Sequence, residues 1–245
     1  MHCPKPRIQN TFFSVCLVTL VLFTANFSHA QNTVTNRALK LDGTNSYVQL
    51  PPNIFNDLTQ ATVEVWAKWK GFPSFSRVFE FGAGYHSMSL FNHSTSNDLR
   101  FNIYPRPAKN DPKWQFTAYA RGLLRTNEWM HLAAVSGPGG MMLYANGRLV
   151  GKHTNTMTLA DIDTKHTNVL GRGLANGPTD RTFFGEIDEV RVWDRQLTVA
   201  EIRENMFKRL SGQEDGLMHL WNFDDNTVRD SGPWAHHGKL MGKAR

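Results

Sequence analysis

Two carboxylates at the spacing of alternate strand residues, Glu186 and Asp188, are the first candidates for chemistry in this sequence. Successive side chains of a strand point to opposite faces, so these two share a face. Retaining glycoside hydrolysis needs two carboxyl groups about 5–5.5 Å apart. A third carboxylate would complete the pattern E-x-D-x-E or E-x-D-x-x-E, but its position holds Val190 in the first case and Arg191 in the second. Glu189 is expected on the opposite face of the strand. Because the acid/base partner is missing, the sequence does not predict a two-carboxylate enzyme.

Other catalytic patterns are missing from the sequence as well. The histidines show no H-E-x-x-H or similar metal spacing, and no serine lies in a nucleophile-elbow motif. Residues 137–140 are glycine-rich but join two predicted strands, whereas a phosphate-binding loop needs a following helix N-terminus. Both cysteines, Cys3 and Cys16, lie in an N-terminal apolar segment. Nucleophilic hydrolysis by serine or cysteine is therefore not predicted.

That N-terminal segment has the pattern of a secretory signal peptide. Lys5 and Arg7 form a positive start, residues 11–27 are a nearly unbroken apolar run, and Ser28 and Ala30 supply small residues before a cut after Ala30. A retained membrane anchor is the alternative, but the run is slightly short for a span. We expect a signal peptide at 1–30 and a secreted or periplasmic product, 31–245, without cysteines and without membrane insertion after cleavage.

The charge pattern limits the kinds of partner. The formal net charge is +6, from 27 Lys and Arg against 21 Asp and Glu. Basic and acidic residues are interspersed, and no run of five basic residues occurs. This pattern is typical of a solvated mixed-charge surface, so no nucleic-acid partner is expected.

Short segments with strand character follow one another through the rest of the chain, bounded by Gly, Asn, Asp or Pro. Asn146-Gly147 predicts a type I′ hairpin, because both positions tolerate positive φ. The alternation over 186–193 predicts one strand. One face of that strand is expected to carry Ile187, Glu189, Arg191 and Trp193, and the opposite face Glu186, Asp188, Val190 and Val192.

A single helix is predicted over 199–210, near the C-terminus. Thr198 and Glu201 form a capping box, and Leu197 and Ile202 have the spacing of a hydrophobic staple. Many short strands with one short helix predict an all-β fold, a two-sheet antiparallel β-sandwich.

Three separated pieces of the chain resemble the laminin-G-like, or concanavalin A-like, jelly roll, of the kind also seen in pentraxins. Residues 39–48 read L-K-L-D-G-T-N-S-Y-V, residues 129–133 and 143–147 read W-M-H-L-A and L-Y-A-N-G, and residues 185–193 read G-E-I-D-E-V-R-V-W. In order, they cover roughly residues 38–224. The resemblance implies a jelly roll, but this architecture hosts lectins, adhesion modules, glycosidases and sensor ectodomains, so it does not by itself assign a function.

The resemblance also implies one structural calcium ion. Jelly-roll modules of this kind often tie their first and last long strands with Ca²⁺, which takes six to eight oxygen ligands. By this resemblance Asp42, with Asn45 as a lesser ligand, and Asp188 are the metal candidates. The alternative is that both aspartates cap turns by accepting backbone N–H bonds.

The segment 104–114 is a candidate recognition loop, since it is long, polar and stiffened by proline. Within it, Tyr104, Arg106 and Trp114 are the predicted ligand-binding residues. Alternatively, Trp114 opens the next strand and packs inward. The Gly-, Asn- and Arg-rich segment 171–182 is a second candidate loop.

Residues 211–245 are either the closing strand of this domain or the start of a truncated second repeat. The closing strand is favoured, because a sandwich would otherwise have an unpaired edge. We expect a secreted, non-catalytic module that binds a glycan or an extracellular protein, free or as the sensor or adhesin ectodomain of a longer chain. A glycosidase of the concanavalin A-like kind and a structural spacer domain are the alternatives, and the sequence does not predict an oligomeric state.

Overall fold

The computed structural model describes residues 36–83, 86–104, 115–162, 165, 168–174 and 182–245. Fourteen strands and one α-helix lie in these ranges. The strands are β1 (Leu39–Asp42), β2 (Tyr47–Leu50), β3 (Ala61–Trp69), β4 (Arg77–Ala83), β5 (His86–Asn92), β6 (Leu99–Tyr104), β7 (Phe116–Ala120), β8 (Met130–Ser136), β9 (Met141–Ala145), β10 (Arg148–His153), β11 (Asn168–Leu170), β12 (Phe184–Trp193), β13 (Leu217–Trp221) and β14 (Lys239–Met241). The helix α1 spans Val199–Asn205, and a 3-10 turn spans Leu159–Asp161.

These strands form two antiparallel sheets. The first sheet has the order β1-β12-β3-β8-β9-β10, with β13 also paired to β12, and the second has the order β14-β2-β11-β4-β5-β6-β7. Apolar side chains from both sheets share one buried cluster, in which Val63 and Val65 of β3 meet Phe79 and Phe81 of β4 and Phe101 of β6. The predicted all-β, two-sheet sandwich with one short helix is therefore confirmed.

The predicted hairpin at Asn146-Gly147 is confirmed. Ala145 ends β9 and Arg148 begins β10, with Asn146 at φ 46° and Gly147 at φ 67°. Positive φ at both central residues is the type I′ requirement that the residue types predicted.

The predicted alternation of β12 is wrong beyond Asp188. The register to β3 shifts between Asp188 and Arg191, and Glu189 has φ 49°, so an extra residue bulges out of the strand. Ile187 and Val190 both enter the core between the sheets. Asp188 and Arg191 therefore share the outer face of the first sheet, although period-two counting separates them.

Helix α1 is shorter than predicted, ending at Asn205 rather than near residue 210. Its capping box is present as expected, with the side chains of Thr198 and Glu201 each bonded to the other's backbone N–H. Beyond the helix, carbonyl groups are bound by side chains of the sheet: Arg191 donates to the carbonyls of Asn205 and Lys208, each at 2.8 Å. These carbonyls gain partners without further helical turns, so the chain can leave the helix there.

The C-terminal stretch contributes strands to both sheets. β13 pairs with the second half of β12, and β14 pairs with β2. The backbone of Arg245 exchanges hydrogen bonds with Lys40, at 2.6 and 3.3 Å. Within the described ranges no helix is long and apolar enough to cross a membrane.

Replacing the buried Arg191 tests how far the outer face of the first sheet depends on it. Arg191→Met should lower the free energy of unfolding by about 3–5 kcal/mol, because it leaves the Glu189 carboxylate and two carbonyls without their charged donor. The control Arg209→Met breaks a half-exposed pair with Asp224 and should cost less than about 1 kcal/mol. Urea unfolding measures the free energy of unfolding of both variants. Equal losses would contradict a structural role for the buried Arg191.

Candidate functional site

The outer face of the second sheet carries a polar row that crosses its strands. The register places its members side by side, and they are Gln49, Glu80, Ser89, Asn102 and Thr117, with the apolar Val169 between Gln49 and Glu80. Neighbouring residues such as Phe79 and Leu90 point the other way, into the core. Glu80, Ser89 and Asn102 are nevertheless at most 1 % exposed. The sheet thus holds buried polar groups on a face that does not meet the other sheet.

Two atoms in this row find no hydrogen-bond partner among the described residues, the Ser89 hydroxyl oxygen and the Asn102 Oδ1. Ser89 and Asn102 lie directly opposite each other on β5 and β6. The Asn102 amide nitrogen donates to the Tyr104 hydroxyl at 2.8 Å, which orients the free Oδ1. In the adjacent row, the Arg100 Nε is also buried without a partner in the described part of the chain. Buried polar groups are normally paired, so these unpaired atoms make this face a candidate site for a polar ligand.

A charged pair supports one side of the row. The Arg77 Nε donates to Glu80 Oε2 at 2.9 Å, and the guanidinium lies 3.8 Å from the centre of the Phe91 ring. The other Glu80 oxygen accepts from the backbone N–H of Leu174 at 2.8 Å. The start of the second candidate loop therefore crosses this face, while its residues 175–181 lie outside the described residues.

Of the three predicted recognition residues, the structure describes only Tyr104, at the end of β6. Tyr104 is the last residue of that strand, half-buried beside the polar row and opposite Ser87. Arg106 and Trp114 lie outside the described residues. Sequence reasoning missed Ser89 and Asn102, since a single polar residue in a strand gives no sign of lacking a partner.

Asp42 and Asn45 form a closed turn. Asp42 Oδ1 accepts from the backbone N–H groups of Thr44, Asn45 and Ser46, at 2.9 to 3.2 Å, and from the Ser46 hydroxyl at 2.6 Å. The Ser46 hydrogen bond is the main cause that holds the Asp42 pKa well below its ordinary value. Asp42 therefore caps its turn by accepting backbone N–H bonds, as the alternative interpretation of the sequence predicted.

Asp188 lies elsewhere, at the Glu189 bulge. Asp42 pairs with Phe184, four residues before Asp188 on β12, which is a separation of about 13 Å along the strand. Calcium ligands lie at about 2.3–2.6 Å from the ion, so one ion cannot contact both carboxylates. The residues therefore do not fit the shared calcium ion that the resemblance implies.

Two carboxylates of β12, Glu186 and Glu189, form salt bridges with basic side chains. Glu186 lies 2.9 Å from Lys68 Nζ and 3.4 Å from Lys70 Nζ. Burial would raise the Glu186 pKa, but the two lysines outweigh it and hold the pKa below its ordinary value. Glu189 is held by Arg191 at 2.8 Å. Contrary to the sequence prediction, the bulge places Glu189 beside Asp188, where both line one cleft.

A histidine cluster that spacing did not reveal lies near the C-terminus. His219 Nδ1 and Asp230 Oδ2 are 2.7 Å apart, and the His219 and His236 rings lie 5.2 Å apart. The Asp230 carboxylate also accepts backbone N–H groups of Leu220, Gly232 and His236. These bonds use both carboxylate oxygens and brace the C-terminal turns against β13.

A chelator tests the calcium expectation. Because Asp42 is satisfied by its own turn and lies far from Asp188, the melting temperature should be the same with EDTA and with millimolar CaCl₂. An ion bound only to the folded state would stabilise it by RT ln(1 + [L]/Kd), about 2.7 kcal/mol at a hundredfold excess over Kd. If EDTA lowered the melting temperature of the wild type but not that of Asp42→Asn, Asp42 would be restored as a calcium ligand.

Comparisons with known proteins agree with this fold. A candidate carbohydrate-binding protein from Bacteroides ovatus ATCC 8483 superposes with a TM-score of 0.63 at 16% identity, over 85% of this chain and 58% of that one. A native heptameric SAP-like pentraxin from Limulus polyphemus gives a TM-score of 0.53 at 17% identity, over 69% and 81%. The CBM40 of Ruminococcus gnavus IT-sialidase, bound to α2,3 sialyllactose, gives 0.55 at 15% identity, over 70% and 97%. No curated protein matches the chain in sequence.

A family model also matches the sequence directly. Residues 42–203 match Laminin_G_3, described as the concanavalin A-like lectin/glucanases superfamily. The match covers well over half of the chain and includes most of the first piece that carried the resemblance and all of the other two. The chain therefore belongs to the Laminin_G_3 family of the concanavalin A-like superfamily.

Proposed function

We propose that this chain is a non-catalytic glycan-binding module that takes its sugar on the outer face of the second sheet. The observation that carries the proposal is a buried pair of atoms on adjacent strands, Ser89 Oγ and Asn102 Oδ1, that have no partner among the described residues. A sugar presents neighbouring hydroxyl groups that each donate and accept, which is what a hydroxyl and an amide oxygen side by side can pair with.

The surrounding groups suit the same ligand. The Tyr104 hydroxyl lies beside the amide of Asn102, and the Arg100 Nε is a further donor in the next row. The salt bridge of Arg77 with Glu80 fixes one side of the site in advance, so less side-chain entropy is lost on binding. Two of the structurally similar proteins support the ligand class, since one is a candidate carbohydrate-binding protein and the other is a carbohydrate-binding module bound to sialyllactose.

The state of the acids supports a binding role over hydrolysis. In the described part of the chain, Glu186 is bound by two lysines and Glu189 by Arg191. A general acid or base must exchange a proton with the substrate, and the two lysines instead hold the pKa of Glu186 below its ordinary value. Hydrolysis of a β-glucan that depends on Glu186 would support the glycosidase alternative.

Paired single-atom deletions test the glycan site. Ser89→Ala should weaken glycan affinity about two- to tenfold, because one hydrogen bond made only in the complex is worth about 0.5–1.5 kcal/mol. The matched control is Ser136→Ala, which removes another buried and unpartnered hydroxyl, on the first sheet, and should leave affinity unchanged. A glycan array of sialylated and neutral oligosaccharides identifies the ligand, and calorimetry measures each variant. Equal affinity of Ser89→Ala and the wild type would remove this face from consideration.

We also propose that the module acts outside the cytoplasm, as a secreted or periplasmic protein or as the sensor or adhesin ectodomain of a longer chain. The support is the sequence pattern of residues 1–30, which lie outside the described residues. N-terminal sequencing of the product exported by an expressing cell should begin at Gln31. A product that begins at Met1 and stays with the membrane fraction would indicate the retained anchor instead.

A further inference from the structure

A second cleft lies on the opposite side of the molecule, on the outer face of the first sheet where the chain leaves α1. It encloses about 350 Å³ and is lined by Asn36, Trp66, Trp129, Asp188, Phe207 and Arg209, among others. This volume lies in the range of small-molecule sites. The cleft, here called the helix-end cleft, is not part of the proposed glycan site.

Three aromatic rings form its walls. Trp66 is held by a hydrogen bond from its Nε1 to the Met206 carbonyl at 3.0 Å, and its ring centre lies 5.6 Å from that of Phe207. Phe207 is 77% exposed and Trp129 is 38% exposed, so both rings remain open to a ligand. Lys68 Nζ already lies 4.9 Å from the centre of the Trp129 ring. The Trp129 ring therefore already has a cation against its face, an arrangement that stabilises positive charge.

Asp188 supplies a carboxyl group to the same cleft. It is 5% exposed, and its oxygens accept from the Asn36 amide at 3.2 Å and from the Glu189 backbone N–H at 2.9 Å. Among the described residues no basic side chain forms a salt bridge with it. Burial, followed by the charges of Glu189 and Asp224, raises the Asp188 pKa to about 7.

The basic groups around Asp188 are each engaged by another acid. Their pairs are Arg191 with Glu189, Lys208 with Glu204, Arg209 with Asp224, and Lys68 with Glu186. Asp188 is thus the acid of this cleft that lacks a counter-charge in the described part of the chain. A buried carboxylate without a counter-charge is costly, and a bound cation would remove that cost.

We propose that the helix-end cleft binds a substituted ammonium ion, with its charge beside Asp188 and its carbon groups against Trp66, Trp129 and Phe207. A metal ion fits less well, because hard cations take six to eight oxygen ligands and this cleft offers ring faces. A neutral sugar would leave Asp188 without its counter-charge. The site is independent of the glycan face, so either can fail without the other.

Tetramethylammonium chloride is the probe, titrated at pH 8 and constant ionic strength while tryptophan fluorescence is followed. Saturable binding is expected in the wild type. Asp188→Asn should weaken it at least tenfold, whereas Glu128→Gln, which removes the same charge from an exposed residue beside Trp129, should leave it within twofold. Lowering the pH from 8 to 5.5 should weaken wild-type binding several-fold, because protonation of Asp188 removes the charge.

A second variant keeps the test valid if Asp188→Asn unfolds. Phe207→Ala removes a largely exposed ring that the fold does not need, and should weaken binding several-fold with the melting temperature unchanged. The proposal is overturned by the absence of saturable binding, or by full binding in folded Asp188→Asn. Competition by millimolar calcium that EDTA reverses would instead assign a metal site, and an equal response to a neutral sugar would assign a second glycan site; either result overturns the proposal.

Discussion

One buried guanidinium joins the helix, the bulge and the first sheet. Arg191 is 1% exposed, donates to Glu189 at 2.8 Å, and reaches the carbonyls of Asn205 and Lys208 beyond α1. A charge removed from water is tolerated only when its donors are paired, so these partners must all be in position together. The end of the helix and the conformation of the bulge are therefore linked through this one side chain.

Near that guanidinium, residues of two of the sequence motifs, His131 and Trp193, meet Glu64 of β3. Glu64 of β3 accepts from the Trp193 indole at 2.7 Å and lies 3.4 Å from His131 of β8. Burial raises the Glu64 pKa to about 7, while burial and the Arg191 charge lower the His131 pKa to about 3. His131 is therefore neutral at physiological pH. His131 and Trp193 thus share one buried polar layer of the first sheet with Glu64.

The two outer faces of the sandwich consequently differ in chemistry. On the first sheet, α1 covers an apolar patch and leaves an aromatic and acidic cleft at its end. On the second sheet, buried amide and hydroxyl groups form a row without complete pairing. The two sandwich faces thus carry the two proposed sites, one for a hydroxyl-rich ligand and the other for an organic cation.

The sequence by itself determined the fold class, the Asn146-Gly147 hairpin and the capped start of α1, because these follow from local backbone preferences and short hydrogen bonds. It also predicted Tyr104 as part of a candidate binding region, from loop composition. Only the tertiary structure decided the bulge at Glu189, since its positive φ is held by the contacts of Arg191 and not by residue type. The tertiary structure also decided that Ser89 lies opposite Asn102 and that Asp42 lies far from Asp188. Strand register, which is set by packing across both sheets, decides which distant residues become neighbours.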